Sequence, residues 1–295
     1  MSQTTYLPFT DRQWRLSMSL KPLAPKDWID IDEHFTAELA LKNKLLNNNY
    51  SEVFAAIPGT QVSQKEVLDL LLEHLVIHFP QHYKRYNQTI ENMTTGEVWH
   101  VANFQEFPID LAGRLVQEDL LLMQATSKGY CLVAASLCFP LRWRLRDKLG
   151  HPMTQIHAPV PGYQEKLACP VDSLFNRIKS SHPVWRFNWS IVNSPELALT
   201  PEKEQPNWHT TITSQNVGER LFLRVERQTL RRLRVSGDIL FTIRTYVYPL
   251  RVFEDTSTMA HNLAELVKQM PLEMLIYKQI MPIRELLLGY LESIE

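Results

Sequence analysis

Residues 129–139, GYCLVAASLCF, form an apolar run closed by Pro140, and residues 184–192, VWRFNWSIV, alternate strictly. The first reads as a buried strand. In the second, Phe187, Trp189 and Ile191 point one way and Arg186, Asn188 and Ser190 the other, the period-2 signature of a strand with one polar face. Residues 219–228, ERLFLRVERQ, alternate in the same manner, setting Leu221, Leu223 and Val225 opposite Phe222, Arg224, Glu226 and Gln228. Residues 238–250, DILFTIRTYVYPL, supply a third strand of this kind, rich in β-branched and aromatic side chains. Between the first two runs lie two short helical patterns, 142–149 and 171–180. A strand, a helical excursion and then consecutive antiparallel strands predict an α+β domain.

Outward from this centre both ends of the chain read as helical. Residues 30–46, DIDEHFTAELALKNKLL, start acidic and end basic, as the helix dipole favours. Phe35, Leu39 and Leu46, with Leu41 and Leu45, make an apolar stripe at helical spacing. Residues 63–79, SQKEVLDLLLEHLVIHF, open on a capping box, Ser63 with Glu66, bury Val67, Leu70, Leu71 and Leu75, and stop at Pro80. On this helix His74, His78 and His82 follow one another at intervals of four and share a face. No cysteine or carboxylate motif of a metalloenzyme accompanies them, so a plain polar face is expected. The tail, 259–295, is again helical. The expected organisation is an N-terminal helical region packing on the core (1–95), a central sheet domain (96–250) and C-terminal helices (251–295).

Composition narrows the function. Thirty-one basic residues balance 32 acidic ones, which leaves no net field to attract nucleic acid or an anionic membrane. No apolar run approaches the roughly 20 residues of a membrane span, and the polar start of the chain lacks a secretory h-region. A cytoplasmic protein is expected. The cysteines, Cys131, Cys138 and Cys169, number three and form no C-x-x-C pair, too few for a zinc knuckle or an all-cysteine iron–sulfur cluster.

Residues 139–163, FPLRWRLRDKLGHPMTQIHAPVPGY, carry the strongest candidate for chemistry. His157 follows an apolar residue and precedes a stiff Pro-Val-Pro turn. Pro159 and Pro161 hold the backbone there extended, so the imidazole is presented in one direction. A fixed ring suits a packed, hydrogen-bonded structural histidine, and it also suits a metal or haem ligand. Trp143, Trp185 and Trp189 are expected in the core.

The order of elements is that of a PAS domain, in which small helices cross one face of the sheet and a ligand lies between them. The segments WIDIDEHFTAELALKNKLL, EVFAAIPGTQ, LLLEHL, LVQEDLLLM, CFPLRWRLRDKLGHPMTQIHAPVPGY, RFNWSI and LRVERQTLRRL with GDILFTIRTYVYPL run from Trp28 to Leu250. Together they resemble the α subunit family of haem-dependent oxidative N-demethylases, also labelled a domain of unknown function. Where the family's pattern carries a proline after the Leu-Arg-Arg-Leu run, this chain has Arg234, which alters a turn.

The resemblance implies a haem-binding PAS-like domain over 96–250 that uses O₂ to oxidise a small secondary amine, dimethylamine in the known case, releasing formaldehyde and the primary amine. It implies non-covalent haem b, consistent with the absence of a C-x-x-C-H attachment motif, with His157 as the iron ligand. Electrons are then expected from NADPH through partner subunits that hold FMN, an iron–sulfur centre and tetrahydrofolate. Arg224 and Glu226, on one face of one strand, are the candidate catalytic pair for O₂ and the amine; an ordinary salt bridge with Arg186 or Arg244 is the alternative. Arg142 and Lys148 are candidates for the haem propionates, against plain exposed charge on a short helix. Two other functions fit the same residues: a haem or gas sensor without turnover, and a structural subunit that keeps the fold without haem.

Overall fold

Two antiparallel sheets organise the computed structural model, which describes residues 5–204 and 206–295. The strands, in chain order, are β1 (Lys21–Pro22), β2 (Phe54–Ala56), β3 (Tyr83–Tyr86), β4 (Thr89–Asn92), β5 (Glu97–His100), β6 (Asp119–Thr126), β7 (Gly129–Ser136), β8 (Val184–Val192), β9 (Phe222–Arg232) and β10 (Ile239–Pro249). Seven of them make the large sheet, in the order β1-β8-β9-β10-β6-β7-β2; β3, β4 and β5 make a small meander. The fold is α+β, as the alternating runs predict. Taken alone, β6 to β10 lie in the spatial order second, first, fifth, fourth, third. The crossover between the second and third of these carries the helical excursion, with helices at Met153–Ile156, Tyr163–Lys166 and Ala168–Arg177.

Alternation along the strands gives each face of the large sheet its own cover. Leu121, Met123, Leu230, Ile239 and Ile243 pack with Leu145, Val171, Phe175 and Ile178 of the excursion. On the opposite face, Leu120, Leu122 and Leu240 meet the N-terminal helices Phe35–Asn48, Gln61–His78 and Pro108–Leu115. Further along that face, Leu223, Val225, Tyr246 and Tyr248 meet the C-terminal helices Ser257–Gln269 and Arg284–Glu292. The two terminal regions therefore share one side of the sheet and leave the other to the excursion. Among the described residues no helix is long and apolar enough to cross a membrane.

Several local expectations are corrected. The second N-terminal helix begins at Gln61, so Ser63 and Glu66 do not form a capping box. Ser63 Oγ instead donates to Asp238 Oδ2 at 2.5 Å, and Glu66 accepts the backbone N–H groups of Val235 and Ser236 at 2.7 and 2.9 Å. Both side chains tie the helix to the β9–β10 turn. That helix ends at His78, so His82 lies beyond it, with Nδ1 2.7 Å from Thr94 Oγ1. The helix read at 30–46 begins only at Phe35. Trp143, Trp185 and Trp189 are half-buried at the margins of the clusters. The small sheet and β6 are strands that the alternation does not predict. Strand β6 sits between β10 and β7 with both faces covered, so its DLLLM run has no alternation to betray it.

A buried ionic network ties the N-terminal helices to the sheet. Lys42, fully buried, donates to Val116 O at 2.9 Å and to Glu118 O, with Asp119 Oδ1 3.8 Å away. Asp119 accepts the N–H groups of Cys138 and Phe139 at 2.7 and 2.9 Å. Glu118 accepts the Asp30 N–H at 3.0 Å through Oε1, while its buried Oε2 has no partner among the described residues. Burial pushes the Glu118 carboxyl up to about 7, against the opposing pull of Arg244. A carboxyl raised in the folded state favours folding below its unfolded value and loses that contribution as pH rises through the folded one. Glu118→Gln is therefore expected to be more stable relative to the parent at pH 8 than at pH 5, measured by urea unfolding at both. A difference independent of pH would show that Glu118 is ionised throughout.

Candidate functional site

Pro152, with an extended ψ of 159°, starts the single helical turn Met153–Ile156, and His157 closes it. The His157 N–H donates to Met153 O at 3.0 Å, and its Nδ1 lies 3.0 Å from the same carbonyl. A carbonyl can only accept, so Nδ1 carries the ring proton and Nε2 keeps its lone pair. Nε2 has no protein partner among the described residues. Lys148 Nζ, 2.7 Å from Ile156 O, holds the peptide just before the histidine. Gly162, at φ 74°, reverses the chain where a side chain would be strained, and this brings Tyr163 back over the imidazole. The two rings stack at 4.7 Å and 10°. The Tyr163 hydroxyl is buried without a partner among the described residues.

Burial pushes the His157 imidazole down to about 4, and the fields of Lys148 and Arg186 push it the same way. The ring is therefore neutral at pH 7. A neutral imidazole with Nδ1–H on a carbonyl and a free Nε2 is the form that ligates iron, and the Met153 carbonyl is the outer partner such a ligand requires. The residues present fit a haem iron on these grounds. By contrast, among the described residues no group of three or more His, Cys, Asp or Glu side chains converges as a metal cage.

Ile156 and Val160, on either side of His157, pack in the same cluster as Val184 of β8, and the register of β8 on β9 builds the rest of this face. Asn188 lies opposite Glu226, and Arg186 opposite Gln228. Glu226 Oε2 accepts from Asn188 Nδ2 at 3.3 Å and Gln228 Nε2 at 3.0 Å, and Oε1 lies 3.5 Å from Arg224 Nε. The structure thus brings Arg224 and Glu226 together, as their two-residue spacing implies, but in unequal positions. Glu226 is half-buried on the open face. Arg224 is fully buried, and its guanidinium spans Leu197 O at 2.7 Å and Phe139 O at 2.6 Å, with Thr245 Oγ1 at 3.4 Å. Since Asp119 holds the N–H of that same Phe139, the arginine clamps the strand-end peptide from the other side. Arg244 lies on the opposite face, paired with Asp32 and Glu38.

Arg142 and Lys148 part company. Lys148 is occupied by the turn before His157, whereas Arg142, in left-handed backbone at φ 60°, reaches the C-terminal region. Its Nη1 is 3.4 Å from Lys278 O, and its Nε is 3.8 Å from Glu204 Oε1. It also lines a surface cavity of about 500 Å³ with Glu204, Arg220, Phe222 and Gln279.

Three groups at the site were not singled out for it by the sequence: Tyr163, Arg186 and Lys278. The alternation of 184–192 already set Arg186 on the polar face, and Tyr163 ends the quoted histidine segment. Lys278 gave no local signal. It arrives from the C-terminal helices, and Nζ donates to Trp189 O at 2.6 Å while lying 4.7 Å over the Trp189 ring. Burial pushes this ammonium down to about 8, a shift that the Glu226 carboxylate opposes and that Arg186 and Arg142 reinforce.

A site of this kind pairs a single neutral imidazole with a face of carboxylate, amide and cation. Residues 19–288, which include every strand of both sheets together with His157, match the model of the family described as haem-dependent oxidative N-demethylase, alpha subunit-like, and the chain belongs to that family.

Proposed function

We propose that this chain is the haem-bearing, catalytic component of an N-demethylating monooxygenase, built on a PAS-like domain of β6 to β10 and the excursion between β7 and β8. The observation that carries the reading is the state of His157: neutral, ring-locked by Met153 O and Tyr163, with Nε2 unclaimed. In this proposal His157 holds the iron of a non-covalent haem b. The haem, when bound, supplies the O₂ chemistry, with electrons from NADPH delivered by partner subunits that carry FMN, iron–sulfur and tetrahydrofolate. The substrate is a small secondary amine such as dimethylamine, and formaldehyde is released.

The chain's own part is binding and proton placement. Glu226 is the anion for an ammonium substrate and the acceptor for its proton. Asn188 and Gln228 donate to Oε2 and fix the carboxylate plane. Arg224 pairs with Oε1 from behind, and because its remaining donors are held by Leu197 and Phe139, its role is positioning. Lys148 holds the turn that carries His157. The apolar side chains Leu145, Val171 and Phe175 of the excursion pack in one cluster with Tyr163, on the ring side of the site.

An absorption spectrum of the purified protein, ferric, dithionite-reduced and with carbon monoxide, tests the reading. A Soret band that shifts at each step is expected; colourless protein that takes up no hemin would overturn it. Glu226→Gln is expected to keep the haem and lose most of the spectral response to dimethylamine, with turnover reduced on the order of a hundredfold, the range of a general base. Wild-type amine affinity in that variant would assign Glu226 to structure alone.

A further inference from the structure

Arg186 is a half-buried cation with almost nothing to hold. Its Nε lies 3.4 Å from the neighbouring Phe187 carbonyl, and its two Nη groups have no protein partner among the described residues. Glu226 is the carboxylate whose field it feels, yet the two form no ion pair, and Glu226 is already satisfied by Arg224, Asn188 and Gln228. Lys278 is in a similar position. One of its three donors goes to Trp189 O, on the free edge of β8 beyond the two-residue β1, and the other two are open among the described residues.

The local balance of charge is therefore uneven. Arg224 neutralises Glu226 and Glu204 faces Arg142, which leaves Arg186 and Lys278 as two half-buried cations with no ion-pair partner among the described residues. Both flank Glu226: Arg186 lies opposite Gln228 and Lys278 holds the carbonyl next to Asn188, the two amides that donate to that carboxylate. Holding unpaired charge out of water is strongly unfavourable unless something compensates it. An anion shared between the two would compensate both. A planar anion suits the fork of a guanidinium, and a point charge such as an ammonium accepts it without further geometry.

We propose that Arg186 and Lys278 together form a carboxylate-binding site beside Glu226. The inference rests on the reading of this face as a haem site, because that reading supplies two sources of carboxylate. One is the pair of propionates on the macrocycle. The other is the substrate itself, which would then be an N-methyl amino acid rather than a bare amine, its ammonium on Glu226 and its carboxylate on Arg186 and Lys278.

The experiment compares wild-type protein with Arg186→Met and Lys278→Met, and with Arg186→Lys as the charge-conserving variant, after circular dichroism has confirmed their folds. Each is loaded with hemin or hemin dimethyl ester, and release to apomyoglobin is timed from the Soret band. Each is also titrated with N-methylglycine and with dimethylamine, read by the Soret shift and by the melting temperature of haem-free protein. If propionates are the ligand, wild type releases hemin at least about tenfold more slowly than the ester, the scale of one charge-assisted hydrogen bond. The methionine variants then abolish that difference and Arg186→Lys keeps part of it. If the substrate is the source, ester and free acid leave at equal rates, and N-methylglycine but not dimethylamine produces a response that the methionine variants lose. Equal release rates together with no response specific to N-methylglycine overturn the proposal. Failure of wild type to take up hemin overturns the haem reading instead, and the melting-temperature arm with N-methylglycine still decides the carboxylate site.

Discussion

His157→Ala is expected to leave the purified protein without stably bound haem, or with a spectrum lacking the parent's ferrous features, and free imidazole is expected to restore them. The scale follows from the site. His157 is the one histidine in the excursion whose Nδ1–H is committed to a backbone carbonyl and whose ring is stacked in place, so no neighbour can substitute for it. His151 is bound into the β7 edge through its backbone, and His182 is exposed, with its ring nitrogen on Ser181. Acid should mimic the substitution. Burial lowers the imidazole from its ordinary value to about 4, so the folded state gives up stability as pH falls from about 6.5 towards 4 and the ring is driven to accept a proton. Haem release between pH 6 and 4, followed at the Soret band, checks the sign. An unchanged ferrous spectrum in His157→Ala would move the iron ligand to another residue.

Where the chain alternates, its sequence states the fold directly. Strands β8, β9 and β10 were legible because one face of each is apolar and the other polar, so a period of two survives along their length. Strand β6, covered on both faces, loses that period and looks like any apolar run. The small sheet was hidden for the opposite reason: YKRY, TIEN and EVWH are short, polar and mostly exposed, with little apolar patterning to read. Ser63 and Glu66 have the spacing of a capping box but serve the β9–β10 turn, since that partner lies about 170 residues away in the chain and local patterns carry no information about it. The site shows the same division. The prolines drew attention to His157, but the chain turns there rather than running extended, with the Val160 N–H on His157 O at 2.9 Å, and it is Met153 O and Tyr163 that fix the ring. Strand parity set Arg224 and Glu226 on one face. What parity does not encode is depth: Arg224 sits behind Glu226 because Leu197 and Phe139 loop over it. Lys278 reaches the site only through the packing of the C-terminal helices on the free edge of β8.

Arg244→Met is expected to lower stability by roughly 3–5 kcal/mol, the cost of stripping one partner from a buried ion pair. Arg244 is fully buried in the middle of β10. Its guanidinium contacts Asp32 Oδ2 at 2.6 Å and Glu38 Oε2 at 2.7 Å, and it also lies 4.7 Å from the Tyr246 ring. Both carboxylates come from the N-terminal segment and helix, so this one side chain fastens that region to the sheet. Glu38 shows how much it depends on the arginine. Burial already raises its carboxyl, and the opposing pull comes first from Arg244 and then from Gln117. Methionine fills much of the volume and removes the charge, leaving Asp32 and Glu38 facing each other. The variant should therefore recover part of its loss at low pH, where protonation relieves the two carboxylates. A companion change, Glu38→Gln in the Arg244→Met background, should restore part of the stability at neutral pH as well. Urea unfolding of the four proteins at pH 7 completes the cycle. Additive losses would mean that Arg244 and Glu38 act independently, while a coupling of a kcal/mol or more, about the range for contacting residues, identifies the pair as the fastening between the N-terminal region and the sheet that carries Glu226.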